Sequence, residues 1–308
     1  MHIENFENNH CVAKDNVETK PIFILGVQRS GTTLLSFILD SHPNIAVGRE
    51  TMVMRAMHYL FGDDAKENSL LLVRNWFERY GMSRKDFAAY VRRFLNDFFY
   101  DYAVRQGKKR WGEKTPWHTY YHDLIYEIFP NAQFIHIVRD PRAVCTSRMS
   151  WPGTIESFAK EWQEQNEKLV NFGKRLPRAQ YQRVRYEDLV SEPRKTMRGL
   201  ISFLGEEWSD QMLCHEKIVS QRFVVGDKGE EINPILRTNH DGKAVVEGGF
   251  MNSPERAIDT KSIDLWKTKL RKIYIWKIQK IAQKGMDIFG YKRAKGLVPL
   301  VGRLKLEP

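Results

Sequence analysis

Two glycines, an arginine and three hydroxyl side chains are gathered in the stretch Gly26-Val27-Gln28-Arg29-Ser30-Gly31-Thr32-Thr33. Glycine lets a backbone curl so that successive N–H groups point at one anion, and a helix starting there adds the positive end of its dipole. Arg29 contributes a full charge, and Ser30, Thr32 and Thr33 contribute hydroxyl donors, so the chemistry on offer is the holding of a phosphate or sulfate group. A plain strand-to-helix turn with a Ser/Thr cap would account for the glycines alone; loop type, position and Arg29 together favour the anion site. ATP- and GTP-binding loops carry Lys directly after the second glycine, whereas here Thr32 stands there and the cation comes earlier as Arg29.

A second cluster follows the apolar run FIHIV, where Arg139-Asp140-Pro141-Arg142 is followed by Ser147. An arginine at the carboxyl end of a buried strand faces the crevice in which α/β sheets bind ligands. Ser147, about two helical turns on, can offer a hydroxyl to the same anion. Alone, the cluster reads equally as an Arg–Asp surface turn. Three more segments bear groups of interest: HPNIAVGRET with Glu50, WGEKTP with Lys114 followed by His118, and VRYEDL with Tyr186. A tyrosine ending a strand is more often core packing, and a carboxylate at Glu50 equally suits the first turn of a helix.

The elements that must carry these residues alternate in type. PIFILGV, from Pro21 to Val27, is a short apolar run of the kind found in parallel strands buried on both faces, and a helix follows it. Further strands are expected at 44–47, 133–138 and 181–186. Helices are expected at 51–61, 66–80, 84–106, 117–129, 157–176 and 193–204. Strands alternating with helices imply an α/β fold with a central parallel sheet flanked by helices. Residues 226–260 are polar and rich in turn dipeptides, which reads as a long functional or capping loop. Ile263 to Phe289 reads as one amphipathic helix with Leu270, Tyr274, Ile278, Ile281 and Ile288 on its apolar face. The expected organisation is a flexible leader over 1–20, one α/β domain over 21–260 and a basic helical extension over 261–308 packed on it.

The chain has 308 residues, 42% hydrophobic and 28% charged, which excludes collagenous, low-complexity and wholly disordered classes. Its net charge of +11 favours anionic partners. Ten Lys or Arg and a single acid, Asp287, lie within 267–295, so this tail carries most of the excess charge. Such a face is usually just solvated, but with its apolar stripe it also suits contact with an anionic membrane through 263–295. Cys11, Cys145 and Cys214 are widely spaced with no CxxC pair, which argues against a disulfide framework and a zinc site. Pro21 to Val27 is too short to span a bilayer and follows an acidic, Asn-rich leader, so neither signal peptide nor transmembrane helix is expected. A cytoplasmic location follows, with peripheral contact at the inner membrane face left open.

Taken as a set, RSGTT at 29–33, the Arg139…Ser147 pair, the YEDL segment and the WGEKTP segment resemble the sulfotransferase family, which moves a sulfonate from 3′-phosphoadenosine 5′-phosphosulfate (PAPS) onto an acceptor. The bacterial and tyrosylprotein branches fit better than the cytosolic one: Leu34 follows the GTT where cytosolic members have Trp, and no RKG segment appears. The resemblance implies a P-loop-like domain in which Gln28, Arg29, Ser30, Gly31, Thr32 and Thr33 hold the 5′-phosphosulfate. It implies that Arg139 and Ser147 hold the 3′-phosphate, that Tyr186 lies by the adenine, and that Ser253 and Lys261 are candidates for further cofactor contacts. Glu50 resembles the family's catalytic base, with His118 as the alternative, and Arg29 and Lys114 would neutralise charge on the transferring group. No metal is implied. The acceptor would be a hydroxyl of a carbohydrate, lipid, polyketide or tyrosine, with nucleic acid not expected as partner; its pocket would come from residues 51–106 and the 226–260 loop. Oligomeric state is left open. Two other classes stay open at this point: an ATP-dependent P-loop kinase with Asp140 holding a metal, and a non-catalytic binder of acidic membrane or nucleic acid.

Overall fold

The computed structural model describes residues 20–48, 50–61, 77–217, 236–238, 244–246 and 257–294. Its first strand, β1 (Ile22–Leu25), is buried on both faces. Phe23 and Leu25 point into one apolar cluster and Ile22 and Ile24 into another, so the strand separates two hydrophobic layers. Helix α1 (Thr32–Asp40) follows, then β2 (Ile45–Val47), α2 (Val53–Phe61), α3 (Arg84–Arg105) and β3 (Arg110–Glu113). Next come α4 (His122–Ile128), β4 (Gln133–Val138), α5 (Pro141–Ser147), α6 (Ile155–Arg175), β5 (Tyr181–Arg185), α7 (Tyr186–Ser191) and α8 (Pro193–Leu204). The five strands pair in parallel in the order β2-β3-β1-β4-β5. The expected parallel α/β architecture is therefore present. Because β1 and β4 are adjacent, the loops leaving their carboxyl ends lie side by side, which is the placement a shared ligand needs.

Several sequence expectations need correction. β3 falls where no strand is expected, because RWGE holds one apolar side chain, Trp111. Its burial rests on polar partners supplied by the fold: Arg110 donates to the Lys20 carbonyl (2.8 Å), the Leu204 carbonyl (2.7 Å) and Glu206 Oε1 (3.1 Å). The helix expected over 117–129 divides into a 3₁₀ turn, Pro116–Tyr120, and α4. Of the helix expected over 66–80, only residues 77–80 are described, and Glu78–Tyr80 form a 3₁₀ turn. Within the expected 226–260 loop, β6 (Leu236–Thr238) and β7 (Ala244–Val246) form an antiparallel ribbon. The 1–20 leader, apart from Lys20, lies outside the described residues.

The carboxyl-terminal segment is three helices rather than one: α9 (Leu265–Lys269), α10 (Lys272–Ile281) and α11 (Gln283–Phe289). Leu270 takes an extended conformation (φ −94°, ψ 134°) and breaks the run. The break lets Trp266 and Leu270, together with Ile275 and Ile278, join a cluster with Ala143, Cys145, Phe158 and Ala159 of α5 and α6. Met286 and Phe289 of α11 pack separately with Trp162 and Val27. Full burial of such side chains contributes about 1.5–3 kcal/mol each, which offsets the helical hydrogen bonds lost at the break. Much of the apolar stripe is thus covered by the protein's own core, although Ile288 remains exposed. Among the described residues no helix is long and apolar enough to cross a membrane.

Candidate active site

The loop between β1 and α1 is held tightly from below. Gly26 N–H donates to Thr119 Oγ1 (3.1 Å), and a Cβ at Gly26 would sit 2.6 Å from the Ile137 carbonyl oxygen of β4. Ser30 N–H donates to the Val27 carbonyl (3.0 Å), closing a turn in which Arg29 takes φ 72° and Gly31 φ 97°. A non-glycine residue at such a φ is costly and persists where the surroundings over-determine it. Helix α1 then begins at Thr32 with no side-chain cap and no acid in its first turn, so its first N–H groups are left for another acceptor. Ser30 is fully buried, and its Oγ has no hydrogen-bond partner among the described residues. Gln28 is half-buried in the same loop, and Thr32 is buried.

The second cluster meets the first. Arg29 Nε donates to Ser147 Oγ at the end of α5 (2.8 Å), and Arg139 Nη1 donates to the Arg29 carbonyl (3.1 Å). Arg139 Nη2 also donates to the Ser262 carbonyl (2.9 Å), while its Nε is buried without a partner among the described residues. The Arg139 guanidinium lies 4.4 Å from the centre of the Tyr186 ring, and the Tyr186 hydroxyl is 2.7 Å from Ser262 Oγ. The same ring lies over Gly31, where a Cβ would be 2.4 Å from Tyr186 Cδ2. Burial, and then the neighbouring Arg139 charge, lower the pKa of Arg29 from its ordinary value. Two guanidinium groups held together with unsatisfied donors in a partly buried site call for an anion between them.

A third group joins at the end of β3. The Lys114 ammonium is buried, donates to Glu50 Oε1, and lies 3.3 Å from Thr33 Oγ1 of the loop. Glu50 is about one-third open to solvent, with its side chain 32% exposed. Behind it, Glu113 accepts from the Thr51 hydroxyl (2.9 Å) and the Thr115 hydroxyl (2.8 Å). Its Oε2 lies 2.5 Å from His118 Nδ1. Burial alone would raise the Glu113 pKa, but His118, Thr115 and Thr51 outweigh it and hold the carboxyl below its usual range. Glu113 therefore fixes Thr51, the residue next to Glu50. Sequence reasoning misses this role, since the one signal for it is the place of Glu113 beside Lys114.

Not every expected residue joins the site. His118 is fully buried against Glu113 and edge-on to the Phe23 ring. Ser253 lies outside the described residues. Lys261 is exposed, its N–H donating to Asp259 (2.9 Å), and the neighbouring Ser262 makes the contacts with Arg139 and Tyr186. Asp140, the metal-holding residue of the kinase reading, is engaged otherwise. It caps α5 through the Arg142 N–H (2.8 Å) and pairs with the buried Arg142 guanidinium (2.5 Å).

The residues present fit a nucleotide with an anionic group at each end, such as PAPS. Ser30 Oγ, Arg139 Nε and the start of α1 are donors awaiting an acceptor, and an aromatic ring stands beside them.

Comparison with known proteins bears on the family and the fold. Residues 21–210 match the sequence profile described as the sulfotransferase family. The chain is 29% identical over 228 residues to the protein-tyrosine sulfotransferase of Drosophila melanogaster, covering 70% of this chain and 44% of that protein. It is 31% identical over 224 residues to protein-tyrosine sulfotransferase 1 of Danio rerio, covering 67% of this chain and 59% of that protein. The chain thus spans about half the length of these relatives. Among solved structures, the sulfotransferase domain of the Synechococcus PCC 7002 olefin synthase superposes with a TM-score of 0.56 at 22% identity, covering 89% of this chain and 96% of that one. The sulfotransferase domain from the curacin biosynthetic pathway superposes with a TM-score of 0.57 at 17% identity, covering 90% and 99%. With the profile spanning more than half its length and the two arginine loops meeting as described, the chain belongs to the sulfotransferase family.

Proposed function

We propose that this protein transfers a sulfonate from PAPS to an acceptor hydroxyl, with Glu50 as general base and without a metal ion. The observation that carries the reading is the junction of the two loops, where Arg29 and Arg139 converge beside Ser147 with buried donors unspent. In this reading the loop from Gln28 to Thr33 and the start of α1 hold the 5′ end of the nucleotide. Arg139, Ser147 and Tyr186 hold its 3′-phosphorylated end, with Ser262 as a further contact and with Lys261 and Ser253, which precede it in sequence, as candidates beside it.

Bound PAPS supplies an activated sulfonate whose bond to the phosphate oxygen breaks as the acceptor oxygen attacks in line. Glu50 takes the acceptor's proton; its carboxylate is the open one, whereas His118 is enclosed against Glu113. Protonation of Glu50 removes the counter-charge of Lys114, leaving that ammonium to balance negative charge beside Thr33. Arg29, held against Ser147, balances charge as well. Fixed donors of this kind lower barriers by about 3 kcal/mol each. Glu113 keeps Thr51, and with it Glu50, in register with the loop.

The test is calorimetric binding of 3′-phosphoadenosine 5′-phosphate (PAP) against ATP, ADP and AMP, with EDTA and with magnesium. Metal-independent preference for PAP is expected; magnesium-dependent preference for ATP would instead establish the kinase reading. Glu50→Gln is expected to keep PAP affinity and lose about 10²–10⁴ in kcat. Unchanged turnover in that variant would shift the base to His118.

A further inference from the structure

Between α2 and α3, next to Glu50, a cavity of about 590 Å³ opens to the surface. Met52, Ala56, Leu95, Phe98 and Phe99 line it, together with Thr51, the residue that follows Glu50 in the chain. Among the described residues Arg55 is the one charged side chain of the lining, and it leans on Tyr59, whose ring centre is 6.0 Å from the guanidinium carbon. Phe94 and Phe98, one helical turn apart on α3, are 65% and 60% exposed, a large apolar surface to leave in water beside a reactive carboxylate. The volume is that of a pocket for a small organic molecule.

A backbone feature ties the cavity to the base. Only two described non-glycine residues have positive φ: Arg29 in the anion loop and Met52 at φ 55°. Met52 follows Glu50 by two residues and lines the cavity, so its unusual conformation turns the chain from the carboxylate into the cavity wall. Thr51, between them, is clamped by Glu113, which prevents the wall and the base from shifting independently.

We infer that this cavity holds the body of the acceptor, and that the acceptor is an alcohol borne on a single apolar chain rather than a tyrosine within an acidic peptide. An acidic peptide needs several cations free to meet it; among the described residues the lining offers one, Arg55, and Lys114 is already paired with Glu50, whereas an aliphatic chain needs apolar wall, and the described lining is mostly of that kind. The inference rests on the sulfotransferase reading, since it names the acceptor class for that reaction.

The test measures PAPS-dependent transfer to 1-butanol, 1-octanol and 1-dodecanol, and to a peptide carrying tyrosine between glutamates, in the native protein and in Ala56→Trp. Ala56 is exposed, so the indole fills the cavity without burdening the core. Expected is a kcat/KM that rises about three- to fourfold per methylene from butanol to octanol, is weak for the peptide, and collapses for octanol and dodecanol in Ala56→Trp while PAP affinity is unchanged. Where calorimetry shows that PAP binds, a flat or inactive alcohol series with PAPS as donor, or preference for the peptide, overturns the assignment. Octanol binding is also measured by calorimetry without nucleotide. If PAP fails to bind and nothing is transferred, the sulfotransferase reading falls. The acceptor assignment falls with it; octanol binding that is lost in Ala56→Trp would then show an apolar-chain site in this cavity without that reaction, and no octanol binding would remove that as well.

Discussion

Gly31→Ala tests whether the two halves of the proposed nucleotide site are one packed unit. The substitution forces alanine to φ 97°, which costs about 1–2 kcal/mol for any L side chain. It also drives a methyl group to within 2.4 Å of Tyr186 Cδ2, so the ring must move, at about 1–3 kcal/mol for overpacking. Moving the ring disturbs its stacking on Arg139 and its hydrogen bond to Ser262. Gly205→Ala isolates the first cost, because Gly205 ends α8 at φ 75° with no atom within 4 Å of where a Cβ would stand. The expected destabilisation is therefore about 3 kcal/mol for Gly31→Ala against about 1 kcal/mol for Gly205→Ala. In thermal melts this is about 6 °C or more against about 2–4 °C. Calorimetry with PAP should show an affinity loss of roughly tenfold or more for Gly31→Ala alone, the equivalent of about 1.4 kcal/mol. Equal melting shifts in the two variants, with PAP affinity intact in both, would refute the claim that Tyr186 packing couples the loop to Arg139.

Arg139→Ala removes a cation that contacts the Arg29 carbonyl, the Ser262 carbonyl and the Tyr186 ring, so PAP affinity should fall about 10- to 100-fold by calorimetry. Arg139→Lys should recover only part of it, because an ammonium cannot reproduce the planar fork. A second expectation concerns acid stability. His136 is fully buried between the Tyr181 hydroxyl (2.7 Å) and Asn166 Oδ1 (2.9 Å), and burial lowers its pKa from 6.5 to about 4. The unfolded chain therefore takes up the proton first. Stability should fall by roughly 3 kcal/mol as pH drops from 6.5 to 4, then level off for this group. His136→Gln should flatten that leg of a urea-denaturation series relative to the native protein. Parallel pH profiles for the two proteins would show that His136 does not titrate in this window.

Local pattern is a faithful guide wherever it coincides with burial. β4 occupies the expected 133–138 and α8 the expected 193–204, and the loop from Gly26 to Thr33 joins a buried strand to a helix as its residue types require. Continuous apolar runs and glycine turns are properties of the chain itself, so the alternation of strands and helices, the anion loop and the sulfotransferase likeness were all legible in the amino-acid order. Which residues a strand or helix meets is not such a property. β3 is a strand because neighbours at Lys20, Leu204 and Glu206 satisfy Arg110, and nothing within RWGE announces those partners. The helical period from Ile263 to Phe289 is real, yet packing on α5 and α6 bends the segment at Leu270, since buried Trp266 and Ile278 outweigh a few helical hydrogen bonds. Glu113 holds Thr51, the residue after Glu50, and Ser262 rather than Lys261 meets Arg139 and Tyr186. Both follow from distances closed only when remote segments dock. Sequence thus determined the kind of chemistry, through residue type and local spacing; tertiary structure decided its partners, because hydrogen bonds and burial depend on separation in space rather than along the chain.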